Sequence, residues 1–156
     1  MQNQKEFDLA AMQMALCEAR AAFAAGETPI GAVLCCGEQV IAAAHNHKQA
    51  LNDVSAHAEI EVLRLAGKQK GDWRLTDCTL YVTLEPCPMC AGAILAARVG
   101  RVVYGAKDPV AGAMGSVIDL PRYPLGAHPV VEGGVMEQAC RELLQSFFLQ
   151  RREKKI

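Results

Sequence analysis

The sequence predicts a layered α/β domain in which a central sheet of about five strands carries helices on both faces. Three observations lead there. Apolar residues recur at helical spacing near both ends of the chain, and short runs of strand formers lie between them. The strand, helix, strand, helix, strand order then implies crossover connections that lay helices on the sheet. With 156 residues, 51% of them hydrophobic, the chain suffices for one domain, 1–156, with its own core.

Residues 4–25 read as a first helix, with Phe7, Ala11, Met14 and Ala22 at helical spacing, Asn3 as its cap and Gly26 as its end. Ile30 to Cys36 and Gln39 to Ala44 are apolar runs joined by Gly37-Glu38, the pattern of a β-hairpin. His45 to Val54 is polar and irregular, a loop. Ala56 to Ala66 carries Ile60, Leu63 and Ala66 at helical spacing, and Gly67 is its expected stop. Residues 78–84 are rich in strand formers and close at Glu85-Pro86. Pro88 suits the first position of a helix through Ala97. Arg101 to Ala106 is a strand, Val130–Val131 another, and Val135 to Arg152 the last helix, with Leu143, Leu144, Phe147 and Phe148. Ala106 to Pro129 is rich in Gly and Pro without a clear period, and a loop of that length in a small domain is usually functional. There is no internal repeat, low-complexity segment or domain linker.

A net charge of −1 argues against a nucleic-acid surface spread over the whole molecule. Any phosphate contact must rest on a local patch. The candidate is the tail Arg151-Arg152-Glu153-Lys154-Lys155, whose cations also suit the negative end of a helix dipole. No apolar run reaches the ~18 residues of a membrane span, and Met1 to Glu6 lacks the pattern of a secretory signal. The cysteine count, seven, is odd. We therefore expect reduced thiols in the cytoplasm, with Cys17, Cys35, Cys36, Cys78 and Cys140 as buried small hydrophobes.

The chemistry concentrates in His57-Ala58-Glu59 and Pro86-Cys87-Pro88-Met89-Cys90. One imidazole and two thiols are a zinc ligand set with an open fourth position for water, whose pKa the metal lowers toward ~7. Glu59 is then free to carry protons. Cys87 and Cys90, at i and i+3, share a helix face, and a helix N-terminus there favours the thiolate. His57 and Glu59 lie about 200° apart on a helix, so they converge only at its start, which Ser55-Ala56 makes plausible. Two helix N-termini are thus expected to face each other across the metal. A closed structural zinc knot would need a fourth protein donor, for which His45 or His47 is available. His45-Asn46-His47 also spells the letters of HNH nucleases, without any surrounding support.

These motifs, with Pro29-Ile30-Gly31-Ala32-Val33, Thr83-Leu84-Glu85, Ala91-Gly92-Ala93 and Val103-Tyr104-Gly105-Ala106-Lys107-Asp108, give the chain a close resemblance to bacterial tRNA-specific adenosine deaminases. The resemblance runs nearly the whole length. It implies the three-layer αβα cytidine-deaminase-like fold around a mixed sheet. It implies one Zn2+ per subunit on His57, Cys87 and Cys90, Glu59 as proton shuttle, and hydrolytic conversion of the wobble adenosine of a tRNA anticodon stem-loop to inosine. Asn46 resembles the residue that hydrogen-bonds the target nucleoside, and Asp108 the one that lies against the RNA backbone beside the flipped base. Ile30 and Leu84 resemble pocket walls. A core role for those two, a turn role for Asp108 and an ordinary loop role for Asn46 are the plainer readings. Phe148 and Arg151 in the basic tail are placed to flank a strand whose base is unstacked, although Phe147 and Phe148 also suit anchoring of the last helix. The family is homodimeric, and Ala91, Gly92, Ala93, Ala96 and Ala97 allow close approach of a partner or of the chain's own sheet. Val110 stands where the family commonly has Lys after Asp-Pro, which removes a positive charge from a loop expected to face RNA. A free guanine or cytosine deaminase would not need the tail or Phe148. A non-catalytic zinc-stabilised RNA-binding module would have no use for Glu59.

Overall fold

A 23-residue helix, α1 (Gln2–Ala24), opens the computed structural model, which describes residues 2–154. It buries Ala11, Met12, Ala15, Leu16, Ala19 and Ala22. Met14 is exposed instead, because at about 100° per residue it lies ~120° from the middle of that face. Asn3 falls inside the helix and does not cap it. Gly26 follows the helix end at φ 79°, a conformation that favours glycine.

The hairpin is β1 (Gly31–Cys36) and β2 (Gln39–His45). The segment expected to be irregular contains one helical turn, α2 (Lys48–Leu51). Next come α3 (Ala58–Lys70), β3 (Cys78–Leu84), α4 (Pro88–Ala96) and β4 (Arg101–Ala106). A 3-10 turn at Leu120–Arg122 interrupts the long loop before β5 (Val130–Glu132) and α5 (Glu137–Glu153). α3 does not stop at Gly67. It continues to Lys70, and Gly71, at φ 72°, takes the left-handed position that ends it. A glycine inside a helix costs only about 1 kcal/mol, so neighbouring packing overrides it.

The strands form one mixed sheet in the order β2-β1-β3-β4-β5. β1 is antiparallel to β2 and to β3, while β3, β4 and β5 run parallel. Alternate strand residues face opposite layers. Leu34, Leu80, Val82 and Val102 meet Ala58, Val62, Ala91 and Ile94 of α3 and α4. Val33, Tyr81 and Val103 meet Met12, Leu16 and Cys140 of α1 and α5. This is the expected three-layer αβα arrangement. Gly31 lets α1 approach the sheet, since a Cβ there would run into the Ala15 carbonyl. Among the described residues, no helix is long and apolar enough to cross a membrane. Lys155 of the basic tail lies outside the described residues.

The cysteines depart from expectation. Cys36 and Cys78 are direct partners across β1 and β3, with Cα atoms 4.2 Å apart, and are joined by a disulfide. Strand register brings them together, which their sequence spacing does not reveal. Cys17 is exposed, while Cys35 and Cys140 are buried.

One ion pair ties α1 to the sheet. Asp8 takes a bidentate hydrogen bond from Arg101, at 2.9 and 2.7 Å, and another from the Tyr81 hydroxyl at 2.6 Å. Burial alone would raise the Asp8 pKa, but the Arg101 and Tyr81 hydrogen bonds outweigh it and hold the carboxyl down at about 2. A depressed carboxylate pKa stabilises the fold fully above its usual value of 3.8, and that contribution is lost as pH falls toward about 2. Asp8→Ala leaves the largely buried Arg101 with only the exposed Glu132, and should cost about 3 kcal/mol in urea unfolding at neutral pH. The deficit against wild type should shrink as both proteins are unfolded at successively lower pH below 3.8.

Candidate active site

α3 and α4 both begin at the same end of the sheet, on the same face. His57 is the N-cap of α3 and Cys87 the N-cap of α4, each with extended backbone, and Pro88 occupies the first turn of α4. A residue in that position projects its side chain beyond the helix end, ahead of the free N–H groups. Cys90 sits one turn further along α4 and is fully buried. The two N-termini thus meet as the spacing requires.

The His57 Nδ1 atom lies 3.7 Å from the Cys87 Sγ and 3.5 Å from the Cys90 Sγ. Tetrahedral zinc, with Zn–N near ~2.0–2.1 Å and Zn–S near ~2.3 Å, separates such donors by roughly 3.6 Å. The donor set and its spacing therefore fit zinc. Among the described residues this is the one group of His, Cys, Asp and Glu side chains close enough to hold a metal, and neither His45 nor His47 joins it. His45 instead pairs with Glu18 at 2.9 Å and stacks on His47. The fourth donor that a closed zinc knot needs is not supplied by either histidine.

The sulfurs share a proton unequally. A hydrogen bond from the Cys90 thiol, reinforced by His57, holds Cys87 down at about 4, the ionised form that binds metal. The same bond and burial push Cys90 up. The hydrogen bond to Cys87 raises His57. Glu59, on the first turn of α3, is 4% exposed, and burial pushes its carboxyl up to about 7. Its Oε1 atom is buried with no hydrogen-bond partner, a rarity for a carboxylate in a folded interior.

The expected substrate residues fall into two groups. Asn46 follows β2, its N–H donating to the Ile30 carbonyl at 3.2 Å, and its buried Oδ1 also lacks a partner. Leu84, Asp108 and Phe148 line one groove with Thr28, Lys107 and Pro109, so β3, the long loop and α5 converge there. The Asp108 Oδ1 accepts from the N–H groups of Val110 and Ala111 at 3.0 and 3.1 Å, which is the turn role anticipated for it. Phe148 is exposed in this groove while Phe147 anchors α5 on Phe23, their rings 5.4 Å apart. Arg151 is not brought to the same groove. It donates to the Gly26 carbonyl and lies 4.8 Å from the Phe147 ring centroid, in a separate cleft between the ends of α1 and α5. The two residues share a face of α5, but Arg151, four residues after Phe147, lies over that ring and is held on the Gly26 carbonyl, which turns its guanidinium away from the groove.

Sequence reasoning missed Thr28 and Lys107 in the groove and two buried carboxylates behind it, Glu27 and Glu85. Glu85 stood in the quoted motif, but only as the residue closing β3. Glu27 carried no signal.

The model of the MafB19-like deaminase family matches residues 6–152. A tRNA-specific adenosine deaminase of Bacillus subtilis is 46% identical over 145 residues, covering 92% of this chain and 90% of that protein. One of Haemophilus influenzae is 44% identical over 152 residues, covering 96% and 88%. A solved structure from studies of A-to-I editing by tRNA:A34 deaminases at the wobble position of transfer RNA is 47% identical, with TM-score 0.84, covering 86% of this chain and 98% of that one. A guanine deaminase from Nitrosomonas europaea is 28% identical with TM-score 0.76, covering 89% and 83%.

Proposed function

The chain belongs to the tRNA-specific adenosine deaminase family, and from that membership we propose that residues 1–156 act as one zinc-dependent deaminase domain on the wobble adenosine of a tRNA anticodon stem-loop. The observation that carries the reading is the nitrogen–sulfur–sulfur cluster at two facing helix N-termini, with the orphaned Glu59 oxygen on the same helix turn. His57, Cys87 and Cys90 hold the metal. Zinc supplies the Lewis acidity that makes water a nucleophile at neutral pH.

The reaction adds water across C6 of adenine and releases ammonia: a C6–O bond forms and the C6–N bond breaks. Glu59 takes one proton from the attacking water and passes it to the ring nitrogen N1, then takes the second from the new C6 hydroxyl and returns it to the departing amine, which leaves as ammonia. Its burial raises that carboxyl to about 7, where it can both accept and return a proton near neutral pH. Asn46 offers its free side-chain amide to the nucleoside. Ile30 and Leu84 wall the base, and Asp108 and Phe148 meet the unstacked strand beyond it. Arg151 is left out of this set, since its guanidinium is engaged on Gly26 and Phe147. The cytoplasm is the compartment in which such a substrate is met.

The chain acts as a homodimer through the outer face of α3 and α4. Ile60, Leu63, Ala93, Ala96 and Ala97 line a shallow apolar groove there, closed at one side by Trp73, which is 55% exposed and flanked by Arg74 and Arg98. The same helices carry the metal donors on their inner turns, so a partner on this face would brace the site.

Two outcomes are expected. With zinc-loaded protein and an adenosine-bearing anticodon stem-loop, Glu59→Ala should lower the inosine-forming rate by ~10²–10⁴-fold, while metal analysis still finds zinc bound. Wild-type protein turning over guanine or cytosine but not the stem-loop would favour a free-base deaminase. Ala96→Arg, an exposed substitution on the apolar groove, should convert the dimer to a monomer in sedimentation without lowering the melting temperature of the monomer.

A further inference from the structure

Two fully buried carboxylates sit behind the pocket, and neither has a cation partner among the described residues. Each is 1% exposed. Glu85 directly follows β3, where its N–H donates to the Ala106 carbonyl at 2.9 Å and prolongs the pairing with β4. Its Oε1 accepts from the Asp108 N–H at 3.2 Å and from the Ser116 hydroxyl. Its Oε2 accepts from the N–H groups of Met114 and Ser116, at 3.0 and 3.1 Å. Gly112 makes the room, since a Cβ there would meet the same Glu85 oxygen and the Asp108 carbonyl.

Glu27 does the same on the other side. Its Oε1 accepts from the Gln49 N–H at 2.9 Å and its Oε2 from the Ala50 N–H at 2.7 Å, both in the first turn of α2. That turn follows directly on Asn46 and His47. Both segments lack a strand ladder, so their amide groups need other partners, and charge-assisted bonds to a buried carboxylate are the strong kind.

We propose that Glu27 and Glu85 are positioning residues for the deamination substrate: each fastens one wall of the pocket by its backbone amides, Glu27 the segment that presents Asn46 and Glu85 the loop that presents Asp108. Glu85 holds its wall from the end of β3, and Glu27 holds the other from the segment between α1 and β1. Glu85 stands two residues before Cys87, so the loop at the groove is referenced to the same strand end that delivers the metal donor. The inference rests on the reading of Asn46 and Asp108 as substrate contacts.

The test uses full-length, zinc-loaded Glu85→Gln and Glu27→Gln, with the anticodon stem-loop as substrate. KM should rise about ten-fold in each, the size of one lost charged hydrogen bond, with kcat within about three-fold of wild type. Placed on Asp108→Ala, Glu85→Gln should add nothing further to KM, because it acts through that residue, and Glu27→Gln should behave likewise on Asn46→Ala. Amide hydrogen exchange should quicken only over 107–119 in the first variant and only over 46–56 in the second. Effects on KM that multiply, a fall in kcat at constant KM, or faster exchange throughout the chain would each overturn the proposal. Should Glu85→Gln fail to fold, Ser116→Ala removes one of the donors, and a KM effect that multiplies with Asp108→Ala has the same meaning. A wild-type protein that makes no inosine would instead sink the deaminase reading, and the local exchange pattern in the variants would still be read on its own.

Discussion

The structure depends on two helices starting at one point. β3 delivers the chain through Glu85 and Pro86 to Cys87, the cap of α4, and α3 begins beside it at His57. Neither helix could hold its cap residue in place alone. Ala58 and Val62 on α3, and Ala91 and Ile94 on α4, are small or medium side chains that let both helices lie close over Leu80, Val82 and Val102. The spacing of the His57, Cys87 and Cys90 side chains is therefore set by packing on the parallel half of the sheet. Helix N-termini favour the thiolate at this point for the same reason that they favour any anion.

The treatment of buried acids separates structural from chemical groups. Asp8 is satisfied by Arg101 and Tyr81, and it locks the far layer, where α1 crosses the sheet. Glu27 and Glu85 are satisfied by backbone amides and hold irregular chain in place. Glu59 alone among these keeps a buried oxygen without a partner. A fold that satisfies three buried carboxylates and leaves the fourth wanting has spent that stability at the residue proposed to carry protons.

The loops follow the same division of labour. The long segment after β4 has little regular structure, yet it is threaded by bonds from Gly112 to Asp108, from Ala113 to the Pro86 carbonyl and from Leu120 to Ala113. Its attachment to Pro86 ties it to the turn that bears Cys87. Asp108 and its neighbours on this irregular chain thus inherit their position from the sheet and from the turn that bears Cys87 together.

Much of this was legible in residue order. The strand-forming composition of 78–84 and 101–106, the Pro88 helix start and the donor types from His57 to Cys90 are local properties, and local sterics and side-chain chemistry carry them. Gly67 misled because a glycine's small helix penalty yields to packing that only the assembled layers provide. Cys36 and Cys78 became partners through register, and Arg151 parted from Phe148 because the Gly26 carbonyl and the Phe147 ring hold its guanidinium. Glu27 reached α2 across the space between two turns, with no pattern to announce it. By itself the sequence determined which elements form and which side chains can bind a metal or carry a proton, because those depend on neighbours a few residues away. The tertiary structure alone decided which distant groups meet, which cysteines bond and which carboxylate is left unpaired, because those depend on how the helices and the sheet exclude water from one another.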